Sequence, residues 1–235
     1  MQNIPSSYNH TTGSQTAVLV QSFFMQVYGW MMFGLLTTGV LAFYTAHSHF
    51  LLSLIFGSKL VFYGLLLAEV GIVFALGNSI QSLSATAASF LFFVYSALNG
   101  LTLASIFLRY THGSIASVFF ITAGTFGAMT IYGYLTKADL SKWGNLLFMS
   151  LIGLVIASLV NLFVQSSALM WVLTYVGVLI FVGLTAYDTQ RLKEIAHQLN
   201  DEGSIGKFAV LGALTLYLDF INLFLYLLRI FGKRR

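Results

Sequence analysis

Seven runs of mostly apolar residues, each about as long as a membrane is thick, constrain this chain more than any other feature. They fall near 24–45, 59–78, 85–108, 114–136, 144–164, 169–190 and 208–230. A bilayer core is crossed by roughly 20 apolar helical residues. Within it the backbone must satisfy its own hydrogen bonds, which leaves helices and closed barrels. The runs are continuous rather than alternating, so the helix is the reading. Only 8% of residues are charged and 58% are hydrophobic, where soluble domains carry about 25% charged residues. The expected fold is an all-α membrane protein, a bundle of about seven transmembrane helices. Pro5 is the single proline and cysteine is absent. Proline kinks in the spans, disulfides, thiolate metal sites and cysteine nucleophiles are thereby excluded.

The chain divides into a polar N-terminal tail (1–22), a transmembrane domain (23–230) and a basic C-terminal tail (231–235). The first segment has no basic start and no early apolar core, so it is expected to remain uncleaved. Most connections are short, and neighbouring helices should be antiparallel. The longest, "RLKEIAHQLNDEGSIGK" (191–207), is expected as a charged, solvated loop, and "FLLSLIFG" (50–57) as an interfacial piece. Trp143 and Trp171 open consecutive spans and should mark opposite interfaces. The small pairs Gly153/Ala157, Ala123/Gly127 and Gly100/Ala104 have helix-packing spacing. Lys and Arg divide almost evenly between the two sides. Leaving out the terminal "KRR" places the N-terminus in the cytoplasm. That terminal cluster suits anionic headgroups; no basic, aromatic-interleaved surface for nucleic acid exists.

Acids interrupt the apolar runs. Glu69 lies in "LLLAEVGIVFAL", Asp188 in "GLTAYDTQ" and Asp219 in "TLYLDFINLFLYLL". No Lys or Arg lies deep in any span to neutralise them. Charged side chains are costly in hydrocarbon and mark interior or water-filled sites. Such acids can be protonated, can share a proton between two carboxyls, or can bind a hard cation such as Ca²⁺. In the last span Thr215, Asp219, Asn222 and Tyr226 follow i, i+4, i+7, i+11 and form one polar face. Thr185 and Asp188 are three apart in the preceding span, with Arg191 one turn further on. These two faces are expected to meet around Asp188 and Asp219. No resident cofactor is expected; Ca²⁺ bound by the aspartates is the one metal the residues suggest.

Two aspartates on neighbouring helices also suit an intramembrane aspartyl protease. The Gly-x-Gly-Asp motif of those enzymes is absent, since Leu216, Tyr217 and Leu218 precede Asp219. The glycines show no phosphate-loop spacing, and His47 and His49 supply at most half a metal site. A non-enzymatic protein is the reading.

At these residues the chain resembles the Bax inhibitor-1 family. The motifs are "AYDTQ" (186–190), "LYLDFINLFLYLLR" (216–229), "ALNGLTLASIF" (97–107) and "GYLTKADLS" (133–141), with Glu69 after an apolar run. They span nearly the whole chain and look most like the bacterial members. The resemblance implies seven helices around a central C-terminal one, and a pH-sensing pair at Asp188 and Asp219. It further implies a pH-dependent Ca²⁺ leak, with protons and cations as ligands and the bacterial inner membrane as location. In that reading Glu69, Asn222, Thr215, Tyr226, Thr185 and Arg191 line or support the ion pathway. Asn78 and Ser79 stand where the best-understood members carry a latching arginine. The alternative is a non-transporting regulator of membrane-protein quality control, with a membrane protease as partner.

Overall fold

The computed structural model describes residues 7–199 and 202–235. Among them nine helices form: α1 (Ser7–His47), α2 (His49–Phe56), α3 (Lys59–Ser79), α4 (Ala85–Leu103), α5 (Ser105–Arg109), α6 (His112–Leu135), α7 (Ser141–Val164), α8 (Ser167–Gln198) and α9 (Glu202–Phe231). No strand occurs among the described residues; one isolated bridge joins Tyr110 to Arg234. Seven helical segments are long and apolar enough to cross a membrane, with α4 and α5 together making one. Large apolar side chains such as Leu60, Leu67, Phe163 and Leu179 project outward. In water they would form an aggregating surface; in a bilayer they face lipid.

The spans differ sharply in what they bury. In α9, 67% of the most apolar window is buried, against 6% in α7 and 11% in α3. α9 packs on α1, α4, α6 and α8, whereas α7 packs on α8 and α3 chiefly on α4. The core therefore gathers on α9: Leu216, Tyr217, Leu223 and Leu228 are fully buried, together with Phe23 and Val27 of α1 and Phe92 of α4. Phe92 and Tyr95 both meet the Tyr217 ring edge-on, at 5.8 and 5.7 Å between centroids, a favoured aromatic geometry.

Several expectations change. Of the 1–22 tail, residues from Ser7 onward belong to α1, and 1–6 lie outside the described residues. The 191–207 stretch is not a loop. α8 runs two turns past Arg191 to Gln198, and α9 starts at Glu202, leaving only residues 199–201 between them; of these, 200 and 201 lie outside the described residues. The extension is amphipathic, with Leu192 and Ala196 buried four apart, and local polarity had masked that stripe. The 50–57 piece is helix α2, capped by the Ser48 hydroxyl.

Of the three small pairs, Gly100 sits at a close crossing, where an added Cβ would lie 2.8 Å from Thr38 O of α1. Gly153 and Gly127 have open space instead. The tightest crossing is one that spacing did not indicate: Gly133 of α6 lies against the backbone of Ala186 in α8. The basic tail folds back on the α5–α6 corner. Thr111 N donates to Lys233 O (3.0 Å), Arg235 N to Arg109 O (3.0 Å) and Lys233 N to Ser114 Oγ (2.8 Å).

Candidate functional site

α7, α8 and α9 line a half-open cavity of about 970 Å³. α9 contributes Thr215, Asp219, Asn222 and Tyr226, the four residues of its polar face. α8 contributes Asp188, Arg191 and Tyr187; α7 adds Asn145 and Ser158 to an otherwise apolar wall. The Asp188 and Asp219 side chains are in hydrogen-bonding contact. Such a contact between two carboxyls needs a proton on one of them, because ionised carboxylates only accept. Asp219 is 4% exposed, and its Oδ2 is buried with no hydrogen-bond partner among the described residues. A buried polar atom that no donor reaches is costly, and a proton held between the two aspartates would offset that cost.

The length of α8 makes the meeting possible. Helix continues through and beyond Asp188, placing its carboxyl on a side facing α9 rather than at a frayed end. The extension also fastens the α6–α7 connection. Gln190 Oε1 accepts from Leu140 N (2.8 Å), Gln190 Nε2 donates to Ala138 O (2.9 Å), and Lys193 Nζ donates to Tyr134 O (2.8 Å). "AYDTQ" thus supplies both a cavity acid and a clamp two residues later. Asn222 Nδ2 donates to Leu218 O (2.8 Å) and Thr215 Oγ1 to Leu211 O (3.1 Å). The Thr215 hydroxyl hydrogen is thus engaged on α9 and leaves oxygen lone pairs for a ligand, while Asn222 keeps its amide oxygen and a second N–H. Tyr226 stacks on Phe181 (5.9 Å between centroids), with the Arg229 guanidinium above its ring.

Three expected site residues stand differently. Arg191 lines the cavity and acts on Asp188 electrostatically, but no ion pair forms between them among the described residues. Thr185 is fully buried and does not line the cavity; its Oγ1 donates to Phe181 O (2.7 Å). Residues three apart differ by about 60° around a helix, enough to turn one into packing and the other into the cavity. Glu69 lies elsewhere. It is 7% exposed on a helix that is otherwise mostly lipid-facing, and it turns onto α4. Asn99 Nδ2 and Thr102 Oγ1 stand 3.1 and 2.9 Å from its two oxygens. The second contact is a hydroxyl donation. Asn99 Oδ1 in turn meets Tyr217 OH (2.9 Å), and Tyr217 OH meets Thr38 Oγ1 (2.7 Å). Asn99, Thr102, Tyr217 and Thr38 were not singled out from sequence. The signal for two of them was present in "ALNGLTLASIF", where Asn99 and Thr102 are polar residues three apart in a span.

Among the described residues no group of three His, Cys, Asp or Glu gathers. The pair therefore offers two carboxylates and neutral oxygens. Resident Ca²⁺ sites commonly use six to eight oxygens, more than the two aspartates supply by themselves.

Comparison with known proteins agrees with the motifs. The family model described as "Inhibitor of apoptosis-promoting Bax1" matches residues 20–235. The chain is 56% identical to "Inner membrane protein YbhL" of Escherichia coli K12 over 92% of its own length and 93% of that protein. It is 45% identical to an uncharacterized protein of Borreliella burgdorferi, over 96% and 97% of the two chains. A relative in Streptococcus pyogenes, an uncharacterized membrane protein, is 36% identical over 96% and 98%. A seven-span helical membrane protein matched by the family model over all but its first 19 residues, the chain belongs to the Bax inhibitor family.

Proposed function

We propose that this is an inner-membrane protein forming a pH-sensitive leak for Ca²⁺ or a related cation, gated by the Asp188–Asp219 pair. One observation carries the reading. Two carboxyls in contact on adjacent helices border a 970 Å³ cavity, and one of their oxygens is buried without a partner. A single proton shared by the pair holds α8 against α9. Losing that proton removes the shared bond, sets two like charges against each other and frees carboxylate oxygens toward the cavity. Thr215 and Asn222 then supply neutral oxygens along the same wall, and Arg191 sets the local potential. Arg191 is the one Lys or Arg that lines the cavity among the described residues. Location in the inner membrane is supported by the name of the Escherichia coli relative.

The test is Ca²⁺ flux into proteoliposomes across a pH series, with wild type beside Asp188→Asn and Asp219→Asn. The expected result is a pH-dependent flux whose dependence disappears in both variants. Wild-type flux no greater than that of empty liposomes at every pH would reject the leak.

A further inference from the structure

Outside the cavity, a second polar cluster links four helices. Its contacts run from Thr102 Oγ1 to Glu69 Oε1 (2.9 Å), Glu69 Oε2 to Asn99 (3.1 Å), and Asn99 to Tyr217 OH (2.9 Å). They continue from Tyr217 OH to Thr38 Oγ1 (2.7 Å) and from Thr38 Oγ1 to Ser96 O (2.8 Å). Glu69, Ser96, Asn99, Thr102 and Thr38 are all buried, and Tyr217 is fully so.

Counting protons in this chain of five contacts distinguishes two states. Each hydroxyl carries one proton and Ser96 O only accepts. With Glu69 ionised, Asn99 Nδ2 donates to Glu69 and Tyr217 must donate to Asn99 Oδ1. Thr38 then has one proton for two neighbours, Tyr217 OH and Ser96 O. One oxygen–oxygen contact shorter than 3 Å has no hydrogen in it. With Glu69 protonated and the Asn99 amide turned by 180°, each of these five contacts is filled, while in both states Thr102 shares its hydrogen between Glu69 and Asn99 O (3.1 Å). Glu69 donates to Asn99 Oδ1, Asn99 Nδ2 to Tyr217, Tyr217 to Thr38, and Thr38 to Ser96 O; Thr102 still donates to Glu69. The two amide orientations have nearly the same shape, so the turn needs little repacking.

We propose that Glu69 is a second proton-binding site, separate from the aspartate pair, whose occupancy is relayed by Asn99 and Tyr217 to Thr38 on α1. The groups facing it are few. Tyr95 of α4 and Tyr217 of α9 act on it electrostatically. α2, the remaining element packed on α3, has His49 as its sole titratable residue, and that side chain is exposed. No Lys, Arg or acid among the described residues pairs with Glu69. Release of its proton thus leaves an unfilled contact at the far end of the chain, where α1 meets α4 and α9. Tyr217 is also two residues from Asp219, so α9 touches both proton sites, carrying one aspartate of the pair and the tyrosine of the relay.

The proposal holds whether or not the protein conducts. Its test is infrared spectroscopy of the full chain in liposomes, following the carbonyl stretch of protonated carboxyls against pH. At neutral pH the Asp188→Asn/Asp219→Asn double variant should keep such a band, and adding Glu69→Gln should abolish it. Should the double variant fail to fold, the difference between wild type and Glu69→Gln carries the same assignment. Tyr217→Phe and Thr38→Val should shift the frequency of the Glu69 band, because each alters what Asn99 can accept or donate. Glu69→Gln keeps an oxygen for Thr102 and an N–H for Asn99 in place of the carboxyl O–H, and should melt closer to the wild-type temperature than Glu69→Ala. A neutral-pH spectrum with no band attributable to Glu69 would overturn the site, and a band unmoved by Tyr217→Phe would overturn the relay.

Discussion

Tyr217 is the residue on which the interior polar chemistry turns. Its ring fills the core between Phe92 and Tyr95, while its hydroxyl joins Asn99 to Thr38. Tyr217→Phe keeps the ring and removes the link. Hydrogen bonds between membrane helices average about 0.6 kcal/mol and reach about 1.7, so a loss of about 1 kcal/mol is expected in detergent unfolding experiments. A second residue gives a pH signature outside the membrane. The Asp139 carboxyl accepts from Ser141 N (2.9 Å) at the start of α7, and this backbone donor holds it below the usual aspartate range. The folded form thus favours the charged carboxylate. The associated stability is present above the unfolded-state value and fades as pH falls through the folded one. An NMR titration should show the depressed midpoint in wild type, and Ser141→Pro, which removes the donor, should return it toward the ordinary value. Asp188, Asp219 and Glu69 were conspicuous in sequence because each is an acid in an apolar run. The residues around Glu69 were not, because Asn, Thr and Tyr are ordinary in helices until their partners are known.

At the level of elements, α8 decides whether a site exists. Ending it near Gln190 leaves Asp188 at a helix terminus. Carrying it to Gln198 places Asp188 against α9 and lets Gln190 and Lys193 hold the α6–α7 connection. Gln190→Ala should remove both Gln190 hydrogen bonds and speed amide exchange at Leu140, measured by hydrogen–deuterium exchange. The α6–α8 crossing is closer still. A Cβ at Gly133 would strike the Ala186 backbone, which cannot rotate away as a side chain can. Gly133→Ala should therefore destabilise by about 1–3 kcal/mol, the usual range for overpacking, and lower the melting temperature of the solubilised protein. Gly153→Ala, with open space around it, serves as the matched control. Spacing alone ranked these glycines wrongly. An i, i+4 pattern describes a helix surface, and the partner's position determines whether that surface is used.

For the molecule as a whole, the contrast between α9 and α7 organises everything else. α9 is wrapped by α1, α4, α6 and α8, while α7 rests on α8 and lines the outer side of the cavity. Amides in α7 should exchange faster than those in α9, since α7 buries little and opens at lower free energy. The absence of cysteine makes a clean accessibility test available. A cysteine at Asn222, on the cavity wall, should react with a water-soluble thiol reagent, and one at Leu223, fully buried on the same helix, should not. Equal protection of both would mean that the cavity holds no water.

What the sequence determined by itself was what is local. Seven spans follow from apolar length, because in hydrocarbon a continuous apolar run has no alternative to the helix. The polar face of α9 follows from spacing along one helix, and all four of its residues line one cavity. Which acids share a site was decided only by tertiary structure. Asp188 and Asp219 meet because α8 is longer than its apolar run and turns that face toward α9. Glu69 does not join them, because α3 packs on α4 and directs its one buried carboxyl to Asn99 and Thr102. Helix rotation and neighbour choice depend on side chains distant in sequence, at crossings such as Gly133 with Ala186. No single span encodes both sides of such a contact.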